Sequence, residues 1–328
     1  MSYRVFIDGE AGTTGLQIHA RLRDRADLAL ISLDPAVRKD PAARAEALNS
    51  ADAVILCLPD EAAREAVSLI TSGTVRVIDA STAHRIAPGW TYGFPEMDRH
   101  QRAAIAGSRR VANPGCFATG AIALLRPILQ AGILPSDFPV TVNAISGYSG
   151  GGKALIAEFE QAPPTGMPFK TNDAFRPYGL SLAHKHLPEI QTYTGLAHPP
   201  VFAPSVGRYA QGMLVEVPLP LWALPTASVE TLRAALADTY ASSKFVEVAP
   251  EDETDLLQKA RTNAGGYVAA LDPESLNNTN RMRLFVFGNP THQQVRLIAV
   301  LDNLGKGASG AAVQNLNLML NLEETAGL

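Results

Sequence analysis

Cys116 lies in the run Asn113-Pro114-Gly115-Cys116-Phe117-Ala118-Thr119-Gly120, one of two cysteines among 328 residues. Turn-forming residues precede it, and the residues after it can start a helix. A thiol at a helix N-terminus meets backbone N–H groups and the positive end of the helix dipole, and both favour the thiolate, the reactive form. The alternative is a small hydrophobe in the core, because free cysteine is among the most buried residue types. A nucleophilic cysteine needs a base, and His184-Lys185-His186-Leu187-Pro188-Glu189 offers two imidazoles, whose partnership with Cys116 would be spatial rather than sequential. Pro188 predicts a helix beginning there, with Glu189 in a first turn that favours a carboxylate and lets it orient an imidazole. Two histidines at i and i+2 also resemble part of a metal site, but no clustered third and fourth ligand accompanies them, so no metal is expected.

Other segments could hold anions. Gly9-Glu10-Ala11-Gly12-Thr13-Thr14-Gly15 follows a short apolar strand and leads into a helical pattern. Glycines at such a turn let backbone N–H groups approach a dinucleotide pyrophosphate. The spacing departs from the usual G-x-G-x-x-G, and the neighbouring β and α segments carry the argument. Ser32-Leu33-Asp34 at the end of the second strand could bind a ribose hydroxyl, and Arg38-Lys39 a 2′-phosphate, which favours NADP(H) over NAD(H). Arg85 follows Asp79-Ala80-Ser81-Thr82-Ala83-His84 just beyond a strand. A guanidinium there could clamp a carboxylate or phosphate, or form a surface ion pair. Ser146-Gly147-Tyr148-Ser149-Gly150-Gly151-Gly152-Lys153 reads as a flexible loop whose N–H groups could form an anion nest.

The elements that must position these residues follow from apolar periodicity. Strands are predicted at 3–8, 28–33, 53–58 and 75–78, and helices from Leu16 and over 41–48 and 61–70. Alternating β and α segments imply a doubly wound parallel sheet, an N-terminal Rossmann domain over residues 1–115. Beyond Cys116 a helix over 121–130 is followed by strands at 140–144, 212–217, 283–286 and 295–300, with helices at 229–242 and 254–260. That mixture predicts an α+β domain on an antiparallel or mixed sheet. Residues 161–183 read as a long connection, and 310–322 as a final helix.

With 46% hydrophobic and 18% charged residues the chain is ordinary for a globular protein of two domains. A net charge of −4 gives no basic footprint for nucleic acid or an anionic membrane. Asp8 comes too early for a signal-peptide apolar region, and no run reaches the ~18 apolar residues of a membrane span. A cytoplasmic enzyme with reduced thiols is expected, its partners being a small-molecule substrate and copies of itself. Cys57, within Ala53-Val54-Ile55-Leu56-Cys57-Leu58, reads as a core residue.

Taken together, these motifs resemble the N-acetyl-γ-glutamyl-phosphate reductases of arginine biosynthesis, in their shorter form. The likeness rests on the glycine turn, Asp79-Ala80-Ser81, Tyr92-Gly93 with Pro95-Glu96, the Cys116 motif, the His184–Glu189 motif and Asp302-Asn303-Leu304-Gly305-Lys306-Gly307-Ala308. The resemblance implies NADP(H) on a Rossmann domain completed by residues 302–328. It implies a catalytic and oligomerisation domain over 116–301, like that of glyceraldehyde-3-phosphate and aspartate-semialdehyde dehydrogenases, and a homo-oligomer, dimer or tetramer. It implies Cys116 as nucleophile, His186 or His184 as the acid–base group beside Glu189, and Arg85, Ser146, Gly147 and Tyr178 toward the substrate. Gly9, Gly12, Thr13, Thr14, Gly15, Ser32, Arg38, Ser81, Gln314 and Asn315 would serve the cofactor. Two segments depart from the longer form: Tyr148 with the triple glycine, and Gln211-Gly212 where that form has Arg-Gly. The activity implied is reduction of N-acetyl-γ-glutamyl phosphate through a cysteine thioester. The same chemistry on aspartyl or aminoadipyl phosphate, a Cys–His amidase and a non-enzymatic NADP sensor are the competing readings.

Overall fold

The computed structural model describes residues 2–38, 40–160, 173–259 and 271–328; Lys39, most of the connection expected at 161–183 and Ala260 lie outside the described residues. The chain divides into two compact units, Met1–Gly115 with Gly307–Leu328, and Cys116–Lys306.

In the first unit β1 (Tyr3–Asp8), β2 (Leu28–Ile31), β3 (Ala53–Leu56), β4 (Arg76–Asp79), β5 (Thr91–Tyr92) and β6 (Arg110–Ala112) alternate with α1 (Thr13–Leu22), α2 (Pro41–Ser50), α3 (Asp60–Leu69) and α4 (Gln101–Gly107). The strands form one sheet in the order β2-β1-β3-β4-β6-β5, parallel at every pairing. Parallel strands need crossovers that cover both faces, so they read as continuous apolar runs. Val5, Ile7, Ile55 and Ile78 accordingly pack on Ile18 and Leu22 of α1. Phe6, Val54, Leu56 and Val77 meet Ala47 and Leu48 of α2 and Ala63 and Ala66 of α3 on the opposite face. This is the doubly wound sheet expected from the alternation. β5, α4 and β6 were not expected, being only two, seven and three residues long.

The second unit begins with α5 (Cys116–Gln130) and continues through β7 (Thr141–Gly147), α6 (Gly152–Glu160), β8 (Phe175–Pro177), α7 (Leu187–Thr194), β9 (Val201–Gly207), β10 (Met213–Pro220), α8 (Val229–Tyr240), β11 (Val246–Val248), α9 (Glu251–Lys259), β12 (Met282–Asn289) and β13 (Gln294–Leu301). Its sheet has the order β11-β12-β13-β10-β7-β9-β8. β7–β9 and β11–β12 are parallel and the other pairings antiparallel, so the sheet is mixed. α5 is apolar on nearly every side and correspondingly buried. It lies so close to β10 that a Cβ on Gly120 would stand 2.7 Å from Val215 Cγ2. Pro127 inside α5 has no N–H to give the Ala123 carbonyl. The Tyr240 hydroxyl of α8 donates to that carbonyl instead, at 2.9 Å.

The chain ends in α10 (Gly310–Met319), part of the first unit, where Ala312, Val313, Leu316 and Met319 join the core on the α1 face.

Candidate active site

In the first unit the glycine turn follows the carboxyl end of β1. Gly9 has φ +89°, and a Cβ there would lie 2.4 Å from the Cys57 carbonyl oxygen. A Cβ on Gly15 would lie 2.5 Å from the Gly9 carbonyl oxygen, so this glycine lets α1 pack against the turn. Gly12 is the N-cap of α1 and brings no side chain to the first turn, which holds half-buried Thr13 and Thr14. The Gly12 N–H donates to the Gly9 carbonyl at 2.9 Å, and the first-turn N–H groups of Thr13, Thr14 and Gly15 have no partner within the helix. β2 ends at Ile31, two residues earlier than expected. Ser32 and Arg38 are exposed after it, on a turn where the Asp34 carbonyl accepts the N–H groups of Val37 and Arg38.

At the end of β4 the buried Asp79 carboxylate accepts the Ser81 N–H at 2.9 Å and the Ser81 hydroxyl at 2.8 Å, with His84 Nδ1 at 2.6 Å. The His84 ring stacks on Trp90 at 4.1 Å between centroids. Arg85 is buried, not on the surface, and donates from Nε to the Asn113 carbonyl at 3.1 Å and from Nη2 to the Ala80 carbonyl at 3.3 Å. Asn315 Nδ2 bridges the Gly93 carbonyl at 2.9 Å and Asn113 Oδ1 at 3.1 Å, while its buried Oδ1 has no hydrogen-bond partner among the described residues. Gln314 Nε2 gives both its hydrogens to carboxylates, Glu96 Oε1 and Glu324 Oε1, each at 2.8 Å. Burial, with the charges of Asp79 and Asp8 adding, pushes the Cys57 thiol up to about 12.

In the second unit Cys116 is the first residue of α5 and half-buried. The helix thus starts five residues before the position 121 read from periodicity. His186 caps α7, whose first turn contains Pro188 and Glu189. The Arg126 guanidinium of α5 donates to the Tyr193 carbonyl of α7 at 2.8 Å, tying the Cys116 helix to the helix that follows the histidines. His184 Nδ1 accepts the His186 N–H at 3.1 Å. His186 Nε2 and Glu189 Oε1 are 3.9 Å apart, and both residues are buried. Phe117, next to Cys116, packs its ring 5.9 Å from His184, 5.8 Å from His186 and 5.4 Å from Phe202. Tyr178 meets His184 at 5.8 Å. Burial raises the Tyr178 phenol, and the charge of Cys116 adds to it, so the hydroxyl stays protonated near the thiol. Phe117 and Phe202 were not expected in the site, since aromatic residues of a cage read as ordinary core in sequence. Among the described residues no group of three or more His, Cys, Asp or Glu could hold a metal ion.

The segment after β7 corrects the expectation of a flexible N–H nest. The N–H groups of Gly147, Tyr148 and Ser149 go to the carbonyls of Gly212, Tyr209 and Ala210. Residues 148–151 form a 3₁₀ turn, and α6 follows from Gly152. Ser146 is buried and donates to the Gly147 carbonyl at 3.1 Å. Gln211, at the other departure, donates to Asp302 Oδ2 at 2.6 Å. Asn303 accepts the Gly212 N–H at 2.7 Å and donates to Ser149 at 3.0 Å. Asp302-Asn303 therefore locks the two departing segments together, a role that its place in the motif did not disclose.

A Rossmann sheet in one unit, and in the other a cysteine-led helix on a mixed sheet beside a His-x-His-x-x-Glu turn, define a semialdehyde dehydrogenase fold. Patterns for the semialdehyde dehydrogenase NAD binding domain and the semialdehyde dehydrogenase dimerisation domain match residues 34–105 and 116–303. Solved structures agree in fold. Aspartate semialdehyde dehydrogenase from Francisella tularensis aligns with TM-score 0.69 at 14% identity, covering 97% of this chain and 100% of that one. Aspartate semialdehyde dehydrogenase II from Vibrio cholerae aligns with TM-score 0.67 at 17% identity, over 98% and 99%. The sequence is far nearer to the N-acetyl-γ-glutamyl-phosphate reductase of Chelativorans sp. (strain BNC1), at 56% identity over 98% of this chain and 99% of that protein. It is 53% identical to N-acetyl-γ-glutamyl-phosphate reductase 2 of Pseudomonas putida, over 98% of each. The chain belongs to the semialdehyde dehydrogenase family and, within it, to the N-acetyl-γ-glutamyl-phosphate reductases.

Proposed function

We propose that this chain reduces N-acetyl-γ-glutamyl phosphate to N-acetylglutamate 5-semialdehyde and phosphate with NADPH, in arginine biosynthesis. The observation that carries the reading is near end-to-end identity above 50% with reductases of that name. Cys116 at the first turn of α5 supports covalent catalysis.

In this reading the Cys116 thiolate attacks the acyl carbon, the bond from carbon to the phosphate oxygen breaks, and phosphate leaves behind a thioester. NADPH, when bound, supplies the hydride that reduces the thioester carbonyl. Collapse of the resulting adduct breaks the C–S bond, releases the aldehyde and restores the thiolate. Splitting one reduction into two steps is the gain from covalent catalysis. The first-turn N–H groups of α5 would stabilise the oxyanion, each worth about 3 kcal/mol. His186, with Glu189 beside it, would take the thiol proton, and His184, a donor through Nε2, would assist a departing group.

The glycine turn fits a pyrophosphate, because α1 starts without a side-chain cap on its first-turn N–H groups and Gly9 and Gly15 let it pack closely on the end of β1. Gly9, Gly12, Thr13, Thr14 and Gly15 would hold it, with Ser32 and Arg38 toward the ribose and 2′-phosphate and Ser81 beside them. The orphaned Oδ1 of Asn315 suits a carboxamide N–H of the nicotinamide. Gln314, with both its hydrogens given to carboxylates, would shape this wall and make no cofactor contact through Nε2. Arg85 and Tyr178 would face the substrate, with Ser146 and Gly147 supporting the wall.

The dimerisation-domain match supports a homo-oligomer. A dimer, alone or paired into a tetramer, would use the outer face of the second sheet, where Val201 and Ala203 are exposed. Among the described residues no helix is long and apolar enough to cross a membrane. The cytoplasm is the proposed compartment.

The test is the reverse reaction, with N-acetylglutamate, aspartate and aminoadipate semialdehydes compared under NAD and NADP, with and without phosphate. Phosphate-dependent NADP reduction strongest with the N-acetylglutamate compound is expected. A preference for either other aldehyde would overturn the substrate assignment, and sedimentation of the same preparation reads the oligomer.

A further inference from the structure

Asp8 is the last residue of β1 and directly precedes Gly9, so a carboxylate stands at the strand end that leads into the glycine turn. Side chains alternate along a strand, which sends Asp8 with Phe6 to the face covered by α2 and α3. There Arg44 of α2 meets it, with Nη2 2.8 Å and Nε 3.3 Å from the same Oδ2. Glu65 of α3 flanks the pair, its Oε2 3.8 Å from Arg44 Nη1. Asp8 and Arg44 are only 6% and 9% exposed, so water does little to screen either charge. Asp79 is a second buried carboxylate at the same end of the sheet, and the charges of both reach Cys57. Ser81 and His84 satisfy Asp79. A site for an anionic dinucleotide thus carries two buried acids, and the cation against Asp8 comes from α2, 36 residues away.

We propose that Arg44 is a positioning residue of the dinucleotide site, which cancels the negative charge of Asp8 beneath the glycine turn and fixes the end of β1. The inference rests on the reading that this turn takes the NADPH pyrophosphate. An unpaired Asp8 would repel that group and tug on the backbone of Gly9.

The experiment is fluorescence titration of NADPH on the full chain as wild type, R44M, R44K, D8N and D8N/R44M, with thermal melts as the folding control. R44M is expected to weaken NADPH binding about tenfold, as an uncompensated unit charge in a partly buried site would. R44K, which keeps the charge, and D8N/R44M, which removes both, should lie within about threefold of wild type, the double variant showing the coupling between neighbours. Turnover at saturating NADPH should change little in all of them. D8N alone, with Arg44 opposed only by half-exposed Glu65, should bind NADPH more tightly than wild type, and it decides the matter if R44M does not fold. Equal affinity in R44M and wild type, or a double variant as weak as R44M, would overturn the inference while leaving the cofactor reading intact. A wild-type chain that did not bind NADPH would overturn both.

Discussion

His184 Nδ1 accepts the backbone N–H of His186 at 3.1 Å, which commits that ring nitrogen as an acceptor. In the neutral ring the proton then sits on Nε2, so His184 presents a donor there and can take up a proton only at Nδ1, at the cost of that hydrogen bond. His186, by contrast, has its Nε2 on the side of buried Glu189, at 3.9 Å. The two histidines are therefore unequal: one is a fixed donor, and the other has a carboxylate in reach to support an imidazolium.

H184N tests that division. The asparagine oxygen can take the His186 N–H in place of Nδ1, so the turn into α7 survives while the Nε2 proton is lost. Turnover should fall about 10²-fold or more, the usual worth of a general acid–base group, with an unchanged melting temperature. Steady-state kinetics alongside a thermal melt reads both. Undiminished turnover would move the acid–base role to His186 alone.

The two cysteines should separate chemically. Burial holds the Cys57 thiol near a pKa of about 12, so at pH 8 only about one molecule in 10⁴ carries that thiolate. Cys116 is half-buried to the same degree as Cys57 but stands at a helix start, where the backbone favours the thiolate. Brief iodoacetamide treatment at pH 8 should therefore give one adduct, on Cys116, with activity lost in parallel and protection by substrate. Mass spectrometry of the digest locates it, and adduct on Cys57 at a similar rate would contradict the assignment. C116A should bind NADPH as tightly as wild type and turn over nothing measurable.

Tyr240 offers a structural test away from the chemistry. Pro127 leaves the buried Ala123 carbonyl without its helical donor, and the Tyr240 hydroxyl fills the gap. Y240F strands that carbonyl and should cost about 1–3 kcal/mol of stability, seen in urea unfolding, with turnover unchanged. A variant as stable as wild type would mean that water replaces the hydroxyl.

How much of this was legible in the sequence depended on the distance over which each interaction acts. β1, α1 and the glycine turn declare themselves through a continuous apolar run, a 3.6-residue period and Gly9. The turn-forming residues before Cys116 and the proline at 188 made both helix starts legible, although periodicity alone began the first at 121, five residues late. α6 was missed because Gly150-Gly151-Gly152 reads as slack, although Leu155, Ile156 and Phe159 after it have helical spacing; Gly152, at φ +73°, adopts a backbone most residues avoid. β9 was hidden by Pro204, which removes a ladder donor, yet Pro204 still pairs in register with Ala144 and gives its carbonyl to Tyr178. The contacts that hold the candidate residues of each unit join residues far apart in sequence, such as Asn303 with Ser149 in the second and Asn315 with Gly93 in the first. No local pattern encodes such a pairing, and only the fold brings the partners together.

Gly15 gives the sharpest link between backbone geometry and cofactor. A methyl group there would stand 2.5 Å from the Gly9 carbonyl oxygen and 2.7 Å from Glu10 Cα, both rigid backbone. G15A must push α1 away from the turn, and the first-turn N–H groups move with it. Overpacking of this kind costs about 1–3 kcal/mol, and part of that cost should appear as weaker NADPH binding, because the donors no longer converge on one point. The expected result is a KM for NADPH raised at least about tenfold, a smaller change in turnover at saturating cofactor, and an unaltered rate of Cys116 alkylation in the absence of cofactor. L16A, whose side chain is 55% exposed one residue further along the same helix, is the control and should leave all three values unchanged. A G15A variant with wild-type KM for NADPH would show that the pyrophosphate lies elsewhere on the sheet.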